Sequence, residues 1–213
     1  MPDILIYGTR GMGRDALAWM DDAGTAADVR GFITHHPEEI GTEVAGLPVL
    51  GGLDHPLSHP GASVVLAAGS TPKRSDALAY FREHDVALCT VIHPSAVIGA
   101  RVSIGDGTII CPGVIVCSDV TIGSGVIANY GAIIGHDCVI DDAAFVAPGA
   151  NLAGTVHVGS GAHIGIGSSV VQKLQVGARA MVGAGAAVVR DVEPHTTVVG
   201  VPARNLPGAR GVQ

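Results

Sequence analysis

Residues 98–140 read IGARVSIGDGTIICPGVIVCSDVTIGSGVIANYGAIIGHDCVI. Every sixth residue is apolar, and the register runs on to Val188: Ile98, Ile104, Ile110, Val116, Ile122, Ala128, Ile134, Ile140, Val146, Leu152, Val158, Ile164, Val170, Val176, Val182 and Val188. The next position is often glycine, as at Gly99, Gly105, Gly123, Gly135, Gly159, Gly165, Gly177 and Gly183. The position four after each apolar residue is Val, Thr, Ala, Cys, Ser or, once, Leu. An α-helix repeats its apolar face about every 3.6 residues and a half-buried strand about every 2, so neither makes this three-part pattern. A hexapeptide repeat does, and it is the sequence sign of a β-helix.

Each unit is expected to be a short flat strand plus a turn, with three units to a triangular coil. Equivalent positions then stack every eighteen residues, so Ile98, Val116, Ile134, Leu152, Val170 and Val188 form one column. The aliphatic residue points into the prism, and the small or β-branched residue fills the space beside it. The glycine after the aliphatic residue is expected to supply turn dihedrals that a Cβ would resist. Each coil buries itself only against its neighbours, so stability accumulates coil by coil. A low-complexity Gly/Val tract would not keep this register.

Upstream, Asp3–Tyr7 is a short apolar run leading into Gly8-Thr9-Arg10-Gly11-Met12-Gly13-Arg14. A helix over 15–22 and a strand over 29–33 follow. Strand, Gly-rich turn, helix, strand opens a Rossmann-like unit, whose turn sets backbone N–H groups at a helix N-terminus, where phosphate is favoured. The spacing G-x-x-G-x-G departs from the dinucleotide fingerprint, and Thr34-His35-His36 stand where an acidic residue would close strand two. Plain turn chemistry is the other reading of Gly8, Arg10, Gly11 and Gly13. A short strand is expected over 47–50, a buried strand over 63–68, a helix from Thr71 to about His84, and a last strand over 86–92. Residues 1–92 thus read as a Rossmann-like α/β domain and residues 93–213 as the β-helix domain, joined rigidly without a flexible linker.

Glycine is high (31 residues) and aromatic content low (3 %), which suits tightly stacked flat strands. Net charge is −7 with 12 scattered Lys and Arg, which argues against nucleic-acid binding. Cys89, Cys111, Cys117 and Cys138 form no CxxC pair. The stretch MPDILIYG is too short and lacks the basic flank of a signal peptide, and no apolar run nears the ~20 residues of a membrane span. The expectation is a cytoplasmic protein with reduced thiols.

The whole chain resembles the bacterial hexapeptide-repeat sugar acyltransferases, which include nucleotide-4-amino-sugar N-acetyltransferases and sialic acid O-acetyltransferases. The resemblance rests on the Gly-rich turn, Ile92 to Gly99 (IHPSAVIG), Asn129 with Gly135-His136-Asp137, Gly165 to Val171 (GIGSSVV), and the closing VGVPAR of residues 199–204. It implies a left-handed parallel β-helix, a homotrimer with active sites between subunits, and acetyl-CoA as co-substrate with no metal. The implied reaction is acetylation of a sugar, foremost the amine of a nucleotide-linked 4-amino sugar. O-acetylation of a sialic acid is the alternative.

Acyl transfer to an amine or hydroxyl needs a base for the nucleophile's proton, stabilisation of the thioester oxygen, and two substrates held together. His136 stands two after core residue Ile134, which puts it near a prism edge, and imidazole titrates in the right range. The resemblance makes it the general base and Asp137 the acid that orients its ring; a surface His–Asp pair is the bland reading. Gly154 lies eighteen residues on, along the same edge, so its N–H is placed to face the thioester oxygen, as the resemblance also implies. Asn129 reads equally as a contact in the cleft or as a turn residue. The resemblance places Ile166 and Ala184 along the pantetheine arm and Val201, Pro202 and Arg204 over the nucleotide end of CoA. Lys173 and Arg190 are rivals of Arg204 for a CoA phosphate. Three departures fall on the acceptor side: Phe145 stands for a second histidine, Met12 for a histidine in the Gly-rich turn, and Thr34-His35-His36 for acidic residues. A zinc carbonic anhydrase would need three converging histidines, for which His136, His157 and His163 are the candidates. A non-catalytic scaffold is the remaining alternative.

Overall fold

Ile4–Tyr7 (β1) is buried along its whole length, as an apolar run without alternation predicts for the middle of a parallel sheet. The computed structural model describes residues 3–212. In it β1 leads to α1 (Gly11–Asp22) and β2 (Val29–Ile33), then to a hairpin of β3 (Glu43–Val44) and β4 (Leu47–Gly51). β5 (Ser63–Leu66), α2 (Thr71–Glu83) and β6 (Ala87–Leu88) complete the α/β part. The sheet order is β3-β4-β2-β1-β5-β6, and every pair but β3–β4 is parallel. Helix α1 starts four residues before the expected Asp15. Its first turn reaches back to Gly11 because Gly13 lacks a Cβ, which would collide with the Gly8 carbonyl.

The expected last strand over 86–92 is two strands. Ala87–Leu88 pairs with β5, whereas Val91–Ile92 pairs with Ile109–Ile110. The chain changes partners at Cys89 and Thr90, so the prism opens at Val91, just ahead of the expected His93. From there two-residue strands and tight turns stack into three parallel sheets. This arrangement fits a left-handed β-helix behind an N-terminal α/β domain.

Register is eighteen throughout. Ile98 pairs with Val116, and the column continues through Ile134, Leu152, Val170 and Val188 as expected. Every core residue from Ile110 to Val188 is at most 2 % exposed. Ile98 departs, at 36 % exposed, because its coil is near the open end and lacks cover on one side. At the far end Thr196–Val199 extends the first sheet, and Arg204–Arg210 returns antiparallel to it.

The repeat's glycines serve a purpose other than the expected one. None of those directly after a core residue has positive φ. Instead, a Cβ on Gly99 or Gly135 would come within 2.6 Å of backbone in the next coil. Coils one strand spacing apart, about 4.8 Å, leave no room there. The left-handed backbone lies two positions later, and Arg101, Asp119, Asp137, Ala143, Thr155, Lys173 and Arg179 adopt it beside glycines. Left-handed conformation costs a non-glycine residue about 1–2 kcal/mol, so the stacked coils must hold these corners.

One prism face carries Ile109, Ile127, Phe145 and His163 outward, yet both isoleucines are fully buried. The α/β domain covers them. Leu66, Leu78 and Leu88 come within reach of a Cβ on Gly107 or Gly125 at the adjoining corner. Arg74 of α2 is wholly buried and spans the junction. Its guanidinium donates to the carbonyls of Ala68 (2.8 Å), Gly125 (2.8 Å), Ala143 (2.9 Å) and Ala144 (3.3 Å). It also lies 5.6 Å from the centre of the Phe145 ring, a cation–π distance. Burial lowers its pKa to about 9, so it stays charged at neutral pH. Arg82–Asp142 (2.7 Å) and His93–Asp22 (3.1 Å) flank this contact.

Candidate active site

His136 occupies the prism corner built from the turns at 117–120, 135–138, 153–156 and 171–174. Its Nδ1 lies 2.7 Å from Asp137 Oδ2. An ionised carboxylate only accepts, so Nδ1 carries the hydrogen and Nε2 keeps its lone pair. Asp137 stands at φ 59°, and this left-handed turn sets its carboxylate beside the ring of the residue before it. Gly154 lies one coil on, against the same ring: a Cβ there would collide with Nε2 and Cε1. Its carbonyl accepts from the Lys173 N–H at 3.1 Å, while its own N–H has no backbone acceptor among the described residues. The ring's basic nitrogen therefore lies against the Gly154 backbone at an exposed corner. One coil the other way, Arg101 binds Asp119 through both oxygens, at 2.6 and 2.7 Å. That bond holds the Asp119 carboxyl below its usual range.

The other expected residues lie elsewhere. Asn129 is buried on the corner of turns 111–114, 129–132, 147–150, 165–168 and 183–186, and its Oδ1 accepts from the Tyr130 N–H at 2.8 Å. Ile166 and Ala184 share that corner, joined by the bond from Gly185 N–H to Ile166 O (2.8 Å). Gly200 to Ala203 closes over its end: Ala187 N–H donates to Gly200 O (3.0 Å) and Ala203 N–H to Ala187 O (2.7 Å). Within one chain, the expected acetyl-donor residues thus divide between two corners. His136, Gly154, Lys173 and Arg190 share one; Asn129, Ile166, Ala184 and Val201 share the other. Pro202 follows Val201 across a cis peptide, and the Arg204 guanidinium turns back to its neighbour's carbonyl, Ala203 O, at 2.9 Å. Arg190 and Arg204 line one hollow of about 230 Å³ beneath the last coil.

A cleft of about 380 Å³ opens in the α/β domain, where β1 and β5 part at their C-terminal ends. Gly8, Arg10, Gly11 and Met12 form one lip, and Ala67 to Ser70 with Lys73 the other; His35 and His36 close the side. The first turns of α1 and α2 hold no acidic residue, and none of the cleft's lining residues is acidic. Gly13 lies behind the turn against Gly8 O, where it seats the helix instead of lining the cleft. The acidic residue missing at the end of β2 is supplied from further along. Glu39 accepts from Thr34 Oγ1 at 2.9 Å and from Thr9 Oγ1, and Arg10 sits 3.6 Å from its other oxygen. The Thr9 bond is the first cause of a carboxyl held below its usual range.

No protein-family model and no curated protein matches the sequence. Solved structures do. The perosamine N-acetyltransferase of Caulobacter crescentus, determined with CoA and GDP-perosamine, is 31 % identical over 97 % of this chain and 97 % of its own, with a TM-score of 0.89. The chain belongs to the hexapeptide-repeat sugar N-acetyltransferases. WeeI from Acinetobacter baumannii is also 31 % identical, over 95 % of this chain and 99 % of its own, at a TM-score of 0.86. The acetyltransferase domain of PglB from Neisseria gonorrhoeae, determined with acetyl coenzyme A, is 28 % identical over 95 % and 98 %, at 0.87.

Sequence reasoning did not single out Lys73 and Ser70, which line the cleft, or Glu39, which holds Thr9 and Arg10 beside it. The first two follow β5 and face Gly8 only because β5 lies beside β1. A sheet order assigned in advance would have brought them in. Phe145, expected on the acceptor side, stacks on His163 (centroids 4.8 Å, 12°) under Arg74 at the domain junction. His136, His157 and His163 do not converge. They lie on a corner, on an exposed face bonded to Asp141 (2.9 Å), and at the domain junction.

Proposed function

We propose that this acetyltransferase moves the acetyl group of acetyl-CoA to the amine of a nucleotide-linked 4-amino sugar, with His136 as general base. The observation that carries the reading is the packing of the His136 ring, its Nδ1 taken by Asp137, against the Gly154 backbone, whose N–H has no backbone acceptor among the described residues. Gly154 lacks the Cβ that would displace the His136 ring. Acetyl-CoA supplies the activated acetyl group. His136 Nε2 takes the proton from the attacking amine, Asp137 fixes the tautomer and balances the imidazolium, and the proton passes to the CoA thiolate that leaves as the C–S bond breaks and the amide C–N bond is made. The Gly154 N–H donates to the oxygen that gains charge. Ile166 and Ala184 would line the pantetheine arm, Val201, Pro202 and Arg204 would cover the nucleotide end of CoA, and Arg204, Arg190 or Lys173 would pair with a phosphate.

The division of donor residues between two corners supports a homotrimer, in which one prism's His136 corner faces a neighbour's Asn129 corner. The second corner is unusually apolar for an exposed edge: Tyr130, Ile166 and Val201 are 49, 60 and 77 % exposed. We assign residues 1–92 to acceptor binding and 93–213 to acetyl transfer. Counted in chain order, the parallel strands run 3-2-1-4-5, which supports a Rossmann-like reading with the cleft at the switch point. There Gly8, Arg10 and Gly11 would take the nucleotide's phosphates. The Caulobacter relative's complex with GDP-perosamine supports a nucleotide sugar as acceptor. The reaction belongs in the cytoplasm, where the four unpaired cysteines stay reduced.

A thiol-release assay tests this, with acetyl-CoA against GDP-, UDP- and dTDP-4-amino sugars and free sialic acid. Release with at least one nucleotide 4-amino sugar is expected, and His136→Ala should lower kcat about 10²–10⁴-fold. Turnover of sialic acid alone would replace N- with O-acetylation. Full activity of His136→Ala would remove the base.

A further inference from the structure

The cleft between β1 and β5 contains a polar chain that the acetyl-transfer chemistry does not use. Lys73 Nζ bonds His35 Nε2, and His35 Nδ1 lies 3.4 Å from the Tyr7 hydroxyl. An ammonium only donates, so Nε2 is the acceptor and the hydrogen of a neutral His35 is on Nδ1, pointing at Tyr7. Tyr7 is 1 % exposed and sits edge-on to both His35 and Phe81. Its hydroxyl is pushed up to about 12 by burial, then by Asp76, so it remains a phenol. His35 is thus wedged between a buried ring and a lysine, with the His36 ring tilted beside it (centroids 3.9 Å, 44°).

The charges around His35 favour its neutral form. Lys73 from α2, His36 from the loop after β2 and Arg10 from the Gly-rich turn oppose protonation; Glu39 alone favours it. Burial is the largest cause of the lowered pKa. A free lysine at a cleft mouth wanders. This one is tied to a fixed imidazole, at the third residue of α2 and across the cleft from Arg10 and the Gly8–Gly11 turn.

Resting on the reading of this cleft as the acceptor-nucleotide site, we propose that Lys73 is a diphosphate ligand and that His35 is its positioning residue. Lys73 and Arg10 would grip the phosphates from opposite lips. The Tyr7–His35 pair would hold the ammonium ready, so that little freedom is lost on binding. Thr34-His35-His36 then replaces an acidic strand end with a device that keeps a cation in place.

Isothermal titration with GDP-mannose, UDP-glucose and dTDP-glucose tests this, since their diphosphates do not titrate near neutrality and they lack the reacting amine. The wild type should bind at least one. Lys73→Met should weaken that ligand tenfold or more, and Lys73→Arg less than threefold. His35→Phe fills the same space but accepts no hydrogen bond; it should weaken binding nearly as much as Lys73→Met, while His35→Gln stays within threefold. In turnover the loss should fall on the acceptor's KM, with the KM for acetyl-CoA unmoved. Wild-type affinity in Lys73→Met would overturn the proposal and leave the cleft reading standing. Wild-type affinity in His35→Phe would overturn the positioning role. No binding by the wild type would remove the cleft reading and the proposal together.

Discussion

At the residue scale, His136, Asp137 and Gly154 are coupled by backbone geometry as much as by chemistry. Asp137 reaches His136 because its φ is positive. Asparagine tolerates that conformation, so Asp137→Asn keeps the turn and removes the charge. It should lower kcat without shifting the thermal midpoint, which a melt beside a rate assay would check. Gly154→Ala asks a different question. Its Cβ has no space beside the ring, so the imidazole must move, and kcat should fall at least tenfold while the protein stays folded. A kcat within twofold of wild type would mean that the ring position is not critical. The pairing of His136 with Gly154 was legible in the sequence, because eighteen-residue spacing is also spatial adjacency. The cleft's Lys73 and, behind its Arg10 lip, Glu39 were not: their neighbours are set by strand order and by a loop, and neither leaves a period.

At the scale of elements, the junction between α2 and the prism depends on Arg74. Its guanidinium serves four carbonyls and no carboxylate, inside a region sealed from water. Arg74→Met leaves the Ala68, Gly125 and Ala143 carbonyls without a backbone donor among the described residues, while Ala144 O keeps the Ile127 N–H. The expected loss is about 3–5 kcal/mol, the range for breaking a buried charged contact, read as a lower urea midpoint. Arg74→Lys should recover only part, since one ammonium cannot match the planar fork. The sequence identified α2 and its start at Thr71, with Leu78 and Phe81 facing inward. It could not mark Arg74, because a helix pattern read from apolar spacing treats arginine as solvent-facing. The split of 86–92 was hidden for a related reason. Both halves are strand-like, and only the identity of their partners separates them.

At the scale of the whole molecule, acid should loosen the α/β domain and its junction before it touches the prism core. His35, His55 and His163 all have lowered pKa values, with burial the first cause. Each is neutral in the fold, but in the unfolded chain each takes up a proton below about pH 6.5. The unfolded state then binds more protons, so stability falls as pH drops through that region and levels off below the folded values. Urea midpoints at pH 7.5 and 5 should differ accordingly; equal midpoints would show these rings to be uncoupled from folding. The prism contributes little to this, because its interior is aliphatic. Its length, however, is quantised. With eighteen residues to a coil, the span from the His136 corner to the last coil can change only in steps of about 4.8 Å. Excising residues 160–177 would remove one whole step and rejoin every face in phase. Such a shortened enzyme would be a gauge cut one notch too small, folding and holding its acceptor while an acetyl donor of fixed reach overshoots its seat.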